Sequence, residues 1–392
     1  MLKASAGWSD VADAYAAGKE SAENALAELG QEAGLALAFC TVDYDEADFV
    51  KGITEGVGDV PLMGSTSFMG ILTPGGFLSR EGGVGGVMLL ASPEVAFGVG
   101  ASEVGDDPRA AGQRAVREAI AQAGRSESDA VSAFFLIPAP GAEETLIKGV
   151  EDVIDRVPMI GGSAANQMAE APWKEFANDQ ILVNGVAVGV IYSELPLGTG
   201  YTGYYKPTKN QGIITKVRDK RTLVEIDGRP ALDVYAEWRG MDVDDLMGGE
   251  LMGATIPFPL GMRDVGGDHW WIRHPVNGNE DASMAIGSDL AEGTAVTMME
   301  ASLDEIAEGA CEVVRMALDD LDGEPGAVIL VHCGGRAAAL GPKMMGQVGA
   351  DLRAVLGETP FIGYLTFGEQ GCAKWTGTGA GGLMLAAMAL GK

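Results

Sequence analysis

Short apolar runs recur three times along the chain, at 35–40, 131–137 and 328–333. Each is followed by a polar break, an amphipathic stretch and a short phrase that opens with proline. The proline comes 21 positions after the end of the run in the first two copies and 27 positions after it in the third. Such runs are typical of buried strands, and the amphipathic stretches are typical of helices. The phrases are Pro61-Leu62-Met63-Gly64-Ser65-Thr66-Ser67, Pro158-Met159-Ile160-Gly161-Gly162-Ser163 and Pro360-Phe361-Ile362-Gly363-Tyr364-Leu365-Thr366.

The similarity between the copies continues beyond the phrases. A longer apolar run follows each of them, at 86–91, 186–191 and 382–387. Glu94, Gly98 and Gly100 recur 100 positions later as Glu194, Gly198 and Gly200. Repeated supersecondary units are expected to bury a shared core. The pattern therefore predicts a mixed α+β protein of the α/β type, with layered sheets, flanking helices and internal strand–helix–strand–strand repeats.

Longer stretches with helical periodicity are expected to pack against these sheets. The first predicts a helix over 9–28, with Ser9 or Asp10 as its N-cap and Gly30 as its stop. Asp107-Pro108 opens the second, because proline is favoured in the first helical turn. The other predicted helices are 108–124, 143–157 and 303–321.

The segment from about 211 to 295 has a different pattern, which predicts a second domain. Asp227-Gly228 is a turn signal between a strand and a helix. The apolar pattern breaks at 207–212, and 392 residues exceed what one core usually spans. We expect two domains, 1–210 and 211–392. The predicted elements of the segment are strands at 213–217, 222–226, 270–272 and 282–286, a helix at 231–238 and a proline-rich edge or loop at 256–261.

Charge and composition exclude several classes of partner. The chain has 27 Lys and Arg against 56 Asp and Glu, a formal net charge of −29. A nucleic acid or an anionic membrane needs a basic surface, and no basic run is present. The start has no apolar core of signal-peptide length, and 381–390 is too short to cross a bilayer. The four cysteines are scattered, so we expect reduced thiols in a cytoplasmic protein without nucleic-acid or membrane partners.

The histidines do not predict a metal site. His269 and His274 are five residues apart, which places them on opposite faces of a strand. No cysteine or clustered carboxylate nearby completes a tetrahedral set. We expect structural roles for both side chains and no bound metal.

Polar and reactive side chains concentrate at the ends of the phrases and in Val331-His332-Cys333-Gly334-Gly335-Arg336. That segment follows a strand and opens a helix, and loops beyond the carboxyl ends of strands are the favoured ligand position in open α/β sheets. Arg336 is suited to clamp a carboxylate or phosphate, with Glu369 within its reach. The predicted ligand-binding residues are Ser65, Thr66, Ser67, Ser163, Asn166, His332, Cys333, Arg336, Thr366 and Glu369.

Three other interpretations of these residues stay open. The hydroxyls can simply satisfy backbone groups in tight turns. A hydrolase could use Ser67 or Ser163 with His332, or a thiolate of Cys333, although no Gly-x-Ser-x-Gly motif is present. A haem protein could use His332 or His274 as axial ligand.

In order and spacing, these motifs resemble the FIST domain family, a prokaryotic sensory module with N- and C-terminal halves. The resemblance extends from about 30 to 390 and assigns the two predicted domains to the two halves. The N-terminal half is matched by Gly64-Ser65-Thr66-Ser67 and Gly161-Gly162-Ser163-Ala164. The C-terminal half is matched by Glu225-Ile226-Asp227-Gly228-Arg229-Pro230-Ala231 with Tyr235, Pro259-Leu260-Gly261, Arg273-His274-Pro275, Cys333-Gly334-Gly335-Arg336 and Gly363-Tyr364-Leu365-Thr366-Phe367-Gly368-Glu369.

The resemblance implies a small-molecule sensor of signal transduction, with amino acids as proposed ligands. Some similar proteins bind haem and sense nitric oxide. Phe68-Met69-Gly70 stands where the family tends to place Gly-Glu, so a pocket acid is lost. No kinase, cyclase or receptor-signalling segment follows the last copy, so output is expected from a separate signalling partner. We expect a cytoplasmic small-molecule sensor without catalysis and without a cofactor, with the haem sensor and the hydrolase as alternatives.

Overall fold

The computed structural model describes residues 1–167, 172–264, 267–373 and 377–392. Helices form 30% and strands 38% of the molecule, as several sheets with flanking helices. The predicted fold class, a mixed α+β protein with layered sheets, is confirmed.

The first unit of the fold runs from residue 3 to residue 91. Its elements are β1 (Lys3–Ser9), α1 (Ala14–Leu29), β2 (Leu35–Cys40), α2 (Glu46–Val57), β3 (Leu62–Thr66), β4 (Ile71–Thr73), β5 (Gly76–Leu78) and β6 (Gly85–Ala91). The first apolar run forms β2, the first phrase forms β3, and the long run after it forms β6. Strand β2 is buried along its whole length, which explains its continuous apolar sequence.

The second unit, residues 95–193, has the same order of elements. They are β7 (Val95–Glu103), α3 (Pro108–Gln122), β8 (Ala133–Pro138), α4 (Glu143–Ile154), β9 (Met159–Gly162), β10 (Lys174–Ala177), β11 (Gln180–Val183) and β12 (Gly185–Ser193). The second phrase forms β9 and continues beyond it.

The third unit is interrupted by an inserted segment. It begins with β13 (Leu197–Thr202). The insertion comprises β14 (Lys206–Arg218), β15 (Thr222–Ile226), β16 (Arg229–Pro230), α5 (Ala231–Arg239), a 3₁₀ turn (Val243–Leu246), α6 (Glu250–Thr255), β17 (Leu260–Arg263), β18 (Trp270–Arg273), β19 (Pro275–Gly278), β20 (Met284–Ile286) and β21 (Ala295–Glu300). The unit then continues with α7 (Leu303–Asp320), β22 (Pro325–Cys333), α8 (Gly334–Leu356), β23 (Phe361–Thr366), β24 (Glu369–Ala373), β25 (Gly377–Gly381) and β26 (Leu385–Gly391).

Each unit contributes four strands in the same order to one sheet: β1-β6-β2-β3, β7-β12-β8-β9 and β13-β26-β22-β23. The phrase strand pairs in parallel with its neighbour in all three sheets. Two further strands of each sheet come from another unit: β10–β11 pair onto β3, β24–β25 onto β9, and β4–β5 onto β23. This exchange of hairpins runs in one direction around the three units, so each sheet is completed by a different unit.

The inserted segment forms a separate sheet with the order β18-β17-β21-β14-β15-β20-β19. The stretch 207–212, predicted as a break in the pattern, lies inside β14. The ladder between β14 and β21 shifts register between Pro207 and Gln211, so the break corresponds to a bulge. The division into 1–210 and 211–392 stays a prediction, and β13, which precedes it, pairs with β26 near the end of the chain.

Helix caps show where local sequence decides the boundaries. The carboxylate of Asp13 caps α1. The predicted N-cap at Ser9 or Asp10 was wrong, because β1 extends through Ser9 and leaves no room for a helix there. Gly30 ends α1 at φ 68°, as predicted. Asp107 caps α3 through its side chain, with proline in the first turn.

Glycines on the edge strands let helices lie directly on the sheets. A Cβ at Gly100 would lie 2.2 Å from the carbonyl oxygen of Ala115 in α3. A Cβ at Gly200 would lie 2.2 Å from the carbonyl oxygen of Val313 in α7. Only glycine permits this approach, which explains its recurrence at an interval of 100 residues.

The largest cluster of buried apolar side chains draws on all three units. A separate cluster lies within the inserted sheet and its helix α5. In the ranges that the structure describes, no helix is both long and apolar enough to cross a membrane.

Candidate functional site

The three phrases meet at the centre of the fold through a closed ring of backbone hydrogen bonds. Counting each proline as position one, the N–H at position eight of one phrase donates to the carbonyl at position six of another. The donors and acceptors are Phe68 N to Leu365 O at 3.0 Å, Ala165 N to Thr66 O at 3.1 Å, and Phe367 N to Ser163 O at 3.2 Å. Three bends far apart in sequence are therefore held against one another, and we call them the bend cluster.

Two of the three hydroxyls of the first bend form hydrogen bonds with the backbone of the protein. The Ser67 hydroxyl donates to Gly70 O at 2.7 Å and accepts from Leu365 N at 2.9 Å, which ties the first bend to the third. Thr66 Oγ1 accepts from Lys174 N at 3.3 Å. Ser65 Oγ is buried without a hydrogen-bond partner among the described residues.

The second bend places Ser163 between two side chains that the sequence analysis did not single out. Its hydroxyl donates to Glu143 Oε1 at 3.0 Å and accepts from Gln370 Nε2 at 3.1 Å. Glu143 is 2% exposed and begins α4. Asn166, also predicted, lies in the same bend and is 7% exposed.

Glu369 is a fully buried carboxyl at the third bend. Its oxygens accept from Thr366 Oγ1 at 2.8 Å, Gly368 N at 3.3 Å and Met384 N at 2.9 Å. Burial raises the pKa of Glu369 to about 7, against an ordinary value of 4.5, although these donors act to lower it. This carboxyl therefore changes charge near neutral pH.

Arg336 is also fully buried; backbone carbonyls accept from its two terminal nitrogens, while its Nε has no hydrogen-bond partner among the described residues. Nη1 donates to Gly203 O at 2.6 Å and Leu383 O at 3.2 Å, and Nη2 donates to Ile306 O at 2.7 Å. Glu369 was predicted to lie within reach of Arg336. Within the described ranges the two side chains form no ion pair. Its guanidinium secures the junction of β13, α7 and β26.

His332 and Cys333 are neutral in this setting. His332 Nδ1 lies 3.0 Å from Cys333 O, and burial lowers the pKa of the imidazole to about 3. Burial, with a contribution from Glu369, raises the pKa of the Cys333 thiol. A thiolate–imidazolium pair is therefore disfavoured at neutral pH. His274, the other axial-ligand candidate, is 7% exposed and lies 3.0 Å through Nε2 from Met252 O.

The structure therefore gathers the ten predicted residues at and around the bend cluster, where each is buried. Whether they bind a ligand stays a prediction. In the described part of the chain, no group of three or more His, Cys, Asp or Glu is arranged to hold a metal ion.

A cavity of about 300 Å³ lies beside the bend cluster, between α4, β18 and β25. We call it the Arg273 cleft. Trp271 and Ile147 supply apolar wall, and the backbone of 378–380 forms one side. Its charged lining residues are Glu144, Lys148, Glu151, Arg156, Arg273 and Asp289.

Arg273 is the most unusual group in the cleft. It is 9% exposed, and Nη1 donates to Ala380 O at 2.9 Å. Nε is buried without a partner, and the described residues place no carboxylate within ion-pair distance of the guanidinium. Burial lowers the pKa of Arg273, although the charges of Glu144 and Asp289, which lie beyond ion-pair distance, act to raise it. A buried arginine usually has an acid as partner, so this one has capacity for an anion.

Three carboxylates at the edge of the cleft share the guanidinium of Arg221. Its Nη2 lies 2.7 Å from Glu143 Oε2 and 2.6 Å from Glu144 Oε2, and its Nε lies 3.0 Å from Asp289 Oδ1. Burial acts to lower the pKa of Arg221, but the two glutamates raise it above its ordinary value. Because Glu143 also binds Ser163, a continuous path of hydrogen bonds joins the cleft to the bend cluster.

Arg273, Arg221 and Glu144 were not among the predicted site residues. Arg273 lies in the segment Arg273-His274-Pro275 that carried the family resemblance, so a signal was present but was not assigned a role. Acids in the first turn of a helix are common for reasons of helix stability alone, so Glu143 and Glu144 gave no distinct signal.

Comparison with protein families gives two matches that together cover most of the chain. The FIST N domain matches residues 34–229, and the FIST C domain matches residues 231–372. FIST domains are sensory domains of signal transduction.

Individual relatives are more distant. An uncharacterized protein of Methanocaldococcus jannaschii is 23% identical over 183 residues, which are 43% of this chain and 35% of that protein. The matched region thus spans about a third of that relative's length. A cyanuric acid hydrolase from A. caulinodans has 12% identity and a TM-score of 0.39, with all of both chains covered. Phosphoribosylformylglycinamidine synthase II from Thermotoga maritima has 12% identity and a TM-score of 0.25, covering 99% of this chain and 72% of the other.

Proposed function

This chain belongs to the FIST family, with N and C domains in tandem, and from that premise we propose that it is a sensory protein whose Arg273 cleft binds a small carboxylate, with amino acids as the ligand class. The sensor acts in the cytoplasm and passes its signal to a separate output protein. Its acidic composition and scattered cysteines support that setting.

The observation that carries the proposal is the buried guanidinium of Arg273. An arginine presents its donors as a fork that matches a carboxylate in two parallel hydrogen bonds. Nη1 is taken by Ala380 O, while Nε has no partner among the described residues. A ligand carboxylate at this position would supply an acid in direct contact with the guanidinium, whereas Glu144 and Asp289 act on it only from a greater distance.

The remaining charges of the cleft favour a ligand that carries both signs. Lys148 and Arg156 add positive charge, and Glu144, Glu151 and Asp289 add negative charge. Arg156 and Thr378 both contact Glu151 through Oε1. Glu144 is the better partner for a ligand ammonium group, because Arg221 is shared among three carboxylates while Arg156 pairs with Glu151 alone among the described residues. A volume of about 300 Å³ lies at the small end of ligand pockets, which suits an amino acid.

The bend cluster has a supporting role in this proposal. Ser163 reaches the cleft wall through Glu143 and Arg221, and the remaining predicted residues hold the bends together behind that wall. Through these hydrogen bonds, ligand binding at the cleft would shift the structure at the point where all three units meet. Catalysis is not part of the proposal, because the thiol of Cys333 is held in its protonated form.

Isothermal titration calorimetry against the common L-amino acids tests this function. For each amino acid that binds, its carboxamide and the corresponding amine without a carboxylate are titrated in parallel. We expect binding by the amino acid and at least tenfold weaker binding by both analogues, since they lack the carboxylate. Equal binding of an amino acid and its carboxamide would refute the role given to Arg273.

Variants locate the site. Arg273→Gln should weaken binding by about 30-fold or more, and Arg273→Lys by about tenfold, because lysine keeps the charge but loses the fork. Arg109→Gln is the matched control, since Arg109 is half exposed and pairs with Asp152 outside the cleft. Binding that survives Arg273→Gln unchanged, in a protein with an unaltered circular dichroism spectrum, would move the site elsewhere.

A further inference from the structure

A second and larger cavity lies alongside β13. It has a volume of about 690 Å³ and runs along α7 between β13 and the start of β18. We call it the Tyr204 trough. It shares no lining residue with the Arg273 cleft, so it is a separate feature of the molecule.

Aromatic side chains and one exposed methionine form the apolar walls. Tyr204 and Trp270 are partly exposed and line the trough. Met316 of α7 lines it as well and is 37% exposed, which is unusual for a residue of this type. These groups offer flat, polarizable surface to a planar or alkyl body.

Tyr204 is held in a backbone conformation that tyrosine rarely adopts. Its φ is 54°, and its N–H donates to Thr202 Oγ1 at 3.0 Å. A side chain other than glycine in this region costs free energy, and such strain persists where surrounding contacts impose it. The turn fixes the position of the Tyr204 ring at the wall of the trough.

The charges around the trough are predominantly negative. Four of its lining residues are acids, and Lys206 is the one basic residue among those described there. Lys206 pairs with Glu305, and Arg263 pairs with Asp268. The net negative charge of the trough therefore comes mainly from Asp319 and Asp320 of α7. Acids near aromatic faces attract cations, because the ring quadrupole and the carboxylates act in the same direction. The four acids are Asp268, Glu305, Asp319 and Asp320.

His269 adds a buried hydrogen-bond acceptor to the lining of the trough. His269 lines the trough, and its ring stacks on Tyr201 with centroids 5.6 Å apart. Its Nε2 is buried and has no hydrogen-bond partner among the described residues. In the tautomer that leaves this nitrogen unprotonated, it is an unsatisfied hydrogen-bond acceptor behind the wall of the trough.

We propose that the Tyr204 trough is a binding site for organic cations, in which an aromatic or alkyl body lies against Tyr204, Trp270 and Met316 and an ammonium group faces the acidic rim. This site is independent of the carboxylate site at Arg273. A sensor with both sites responds to two chemically opposite ligands.

Three indole compounds of the same shape and different charge test the inference by calorimetry at about 150 mM salt. Tryptamine is cationic, tryptophol is neutral and indole-3-acetate is anionic. We expect tryptamine to bind, tryptophol to bind at least about fivefold more weakly, and indole-3-acetate to give no heat. Ethylamine controls for simple attraction to a protein of charge −29, and we expect it to bind at least tenfold more weakly than tryptamine.

The variants Tyr204→Leu and Asp319→Asn test whether tryptamine binds in the Tyr204 trough. Leucine keeps the backbone strain and most of the apolar volume but removes the ring, so tryptamine affinity should fall about five- to 30-fold. Asp319→Asn should lower it two- to fivefold, while Asp322→Asn, an exposed acid just beyond α7, should leave it unchanged. Arg273→Gln should also leave it unchanged, which separates this result from the test of the proposed function.

Three results would overturn the inference. They are equal affinity for tryptamine and tryptophol, equal affinity for tryptamine and ethylamine, and full tryptamine affinity in both trough variants. Absence of any heat with tryptamine at millimolar concentration would do so as well.

Discussion

Replacing Glu369 by glutamine should change how the stability of the protein depends on pH. The folded-state pKa of Glu369 is about 7 against an ordinary value of 4.5, because burial disfavours the carboxylate. The folded state therefore retains the proton in the window between these values, while the unfolded state releases it. Its contribution to stability is fully present below pH 4.5 and is lost as pH rises through 7.

The magnitude follows from the size of that window. A pKa difference of about 2.5 corresponds to about 3 kcal/mol of stability lost between pH 4.5 and pH 8. Glu369→Gln removes this loss, since glutamine does not ionise. The amide cannot accept from all of the donors that face the carboxyl, which adds a cost that is independent of pH. The signal is therefore the pH dependence of the difference between variant and wild type.

Differential scanning calorimetry of both proteins at pH 5, 6, 7 and 8 measures that dependence. About 2.5 kcal/mol of this loss falls between pH 5 and pH 8. With an unfolding entropy of about 0.8 kcal/mol/K for a chain of this length, the Tm of the variant relative to wild type should rise by about 3 °C over that range. Glu358→Gln, an exposed acid in the loop before β23, is the control and should show no such trend. A Tm difference for Glu369→Gln that stays constant with pH would refute the assignment of a buried, protonated carboxyl.

Three further outcomes are expected. Gly200→Ala should lower the free energy of unfolding by about 3 kcal/mol or more in thermal denaturation, because its Cβ would lie 2.2 Å from a helix carbonyl oxygen. Gly253→Ala is the control and should be neutral or slightly stabilising, because the space around Gly253 is open. Arg221→Gln should destabilise the fold by about 3–5 kcal/mol, since it leaves buried carboxylates uncompensated, and an unchanged Tm would contradict that account. Iodoacetamide should label Cys333 at pH 7.5 only after addition of denaturant, because the thiol is buried and its pKa is raised. Mass spectrometry of the digested protein measures the labelling, and rapid labelling of the native protein would indicate a reactive thiol instead.

Local sequence predicted the regular elements well where a single physical signal was decisive. Strand β2 was placed at its observed bounds, since an apolar run enclosed by turn residues has few alternatives. Asp107 and Gly30 marked helix ends because capping depends on neighbouring residues alone. The start of α1 was misplaced, because Ser9 is a good cap by composition but belongs to β1, and that pairing depends on β6, far along the chain.

The candidate site shows the opposite situation. The phrases were identified as important because they recur, and the structure does bring them together. Their ligand-binding role was inferred from residue type and stays a prediction. The structure adds that the terminal nitrogens of Arg336 donate to backbone carbonyls, which no local pattern reveals. Arg273 belongs to a segment that carried the family resemblance, but its lack of an acid in direct contact becomes visible only when residues from α4, β18 and β25 lie in one place.

The amino-acid sequence by itself determined the units, their strands and helices, and the family, because periodicity, caps and glycine spacing act over a few residues. The tertiary structure decided which units exchange hairpins and which polar groups lose water. Ligand capacity and shifted pKa values arise from burial beside distant residues, so they belong to the folded arrangement and not to any segment of the chain.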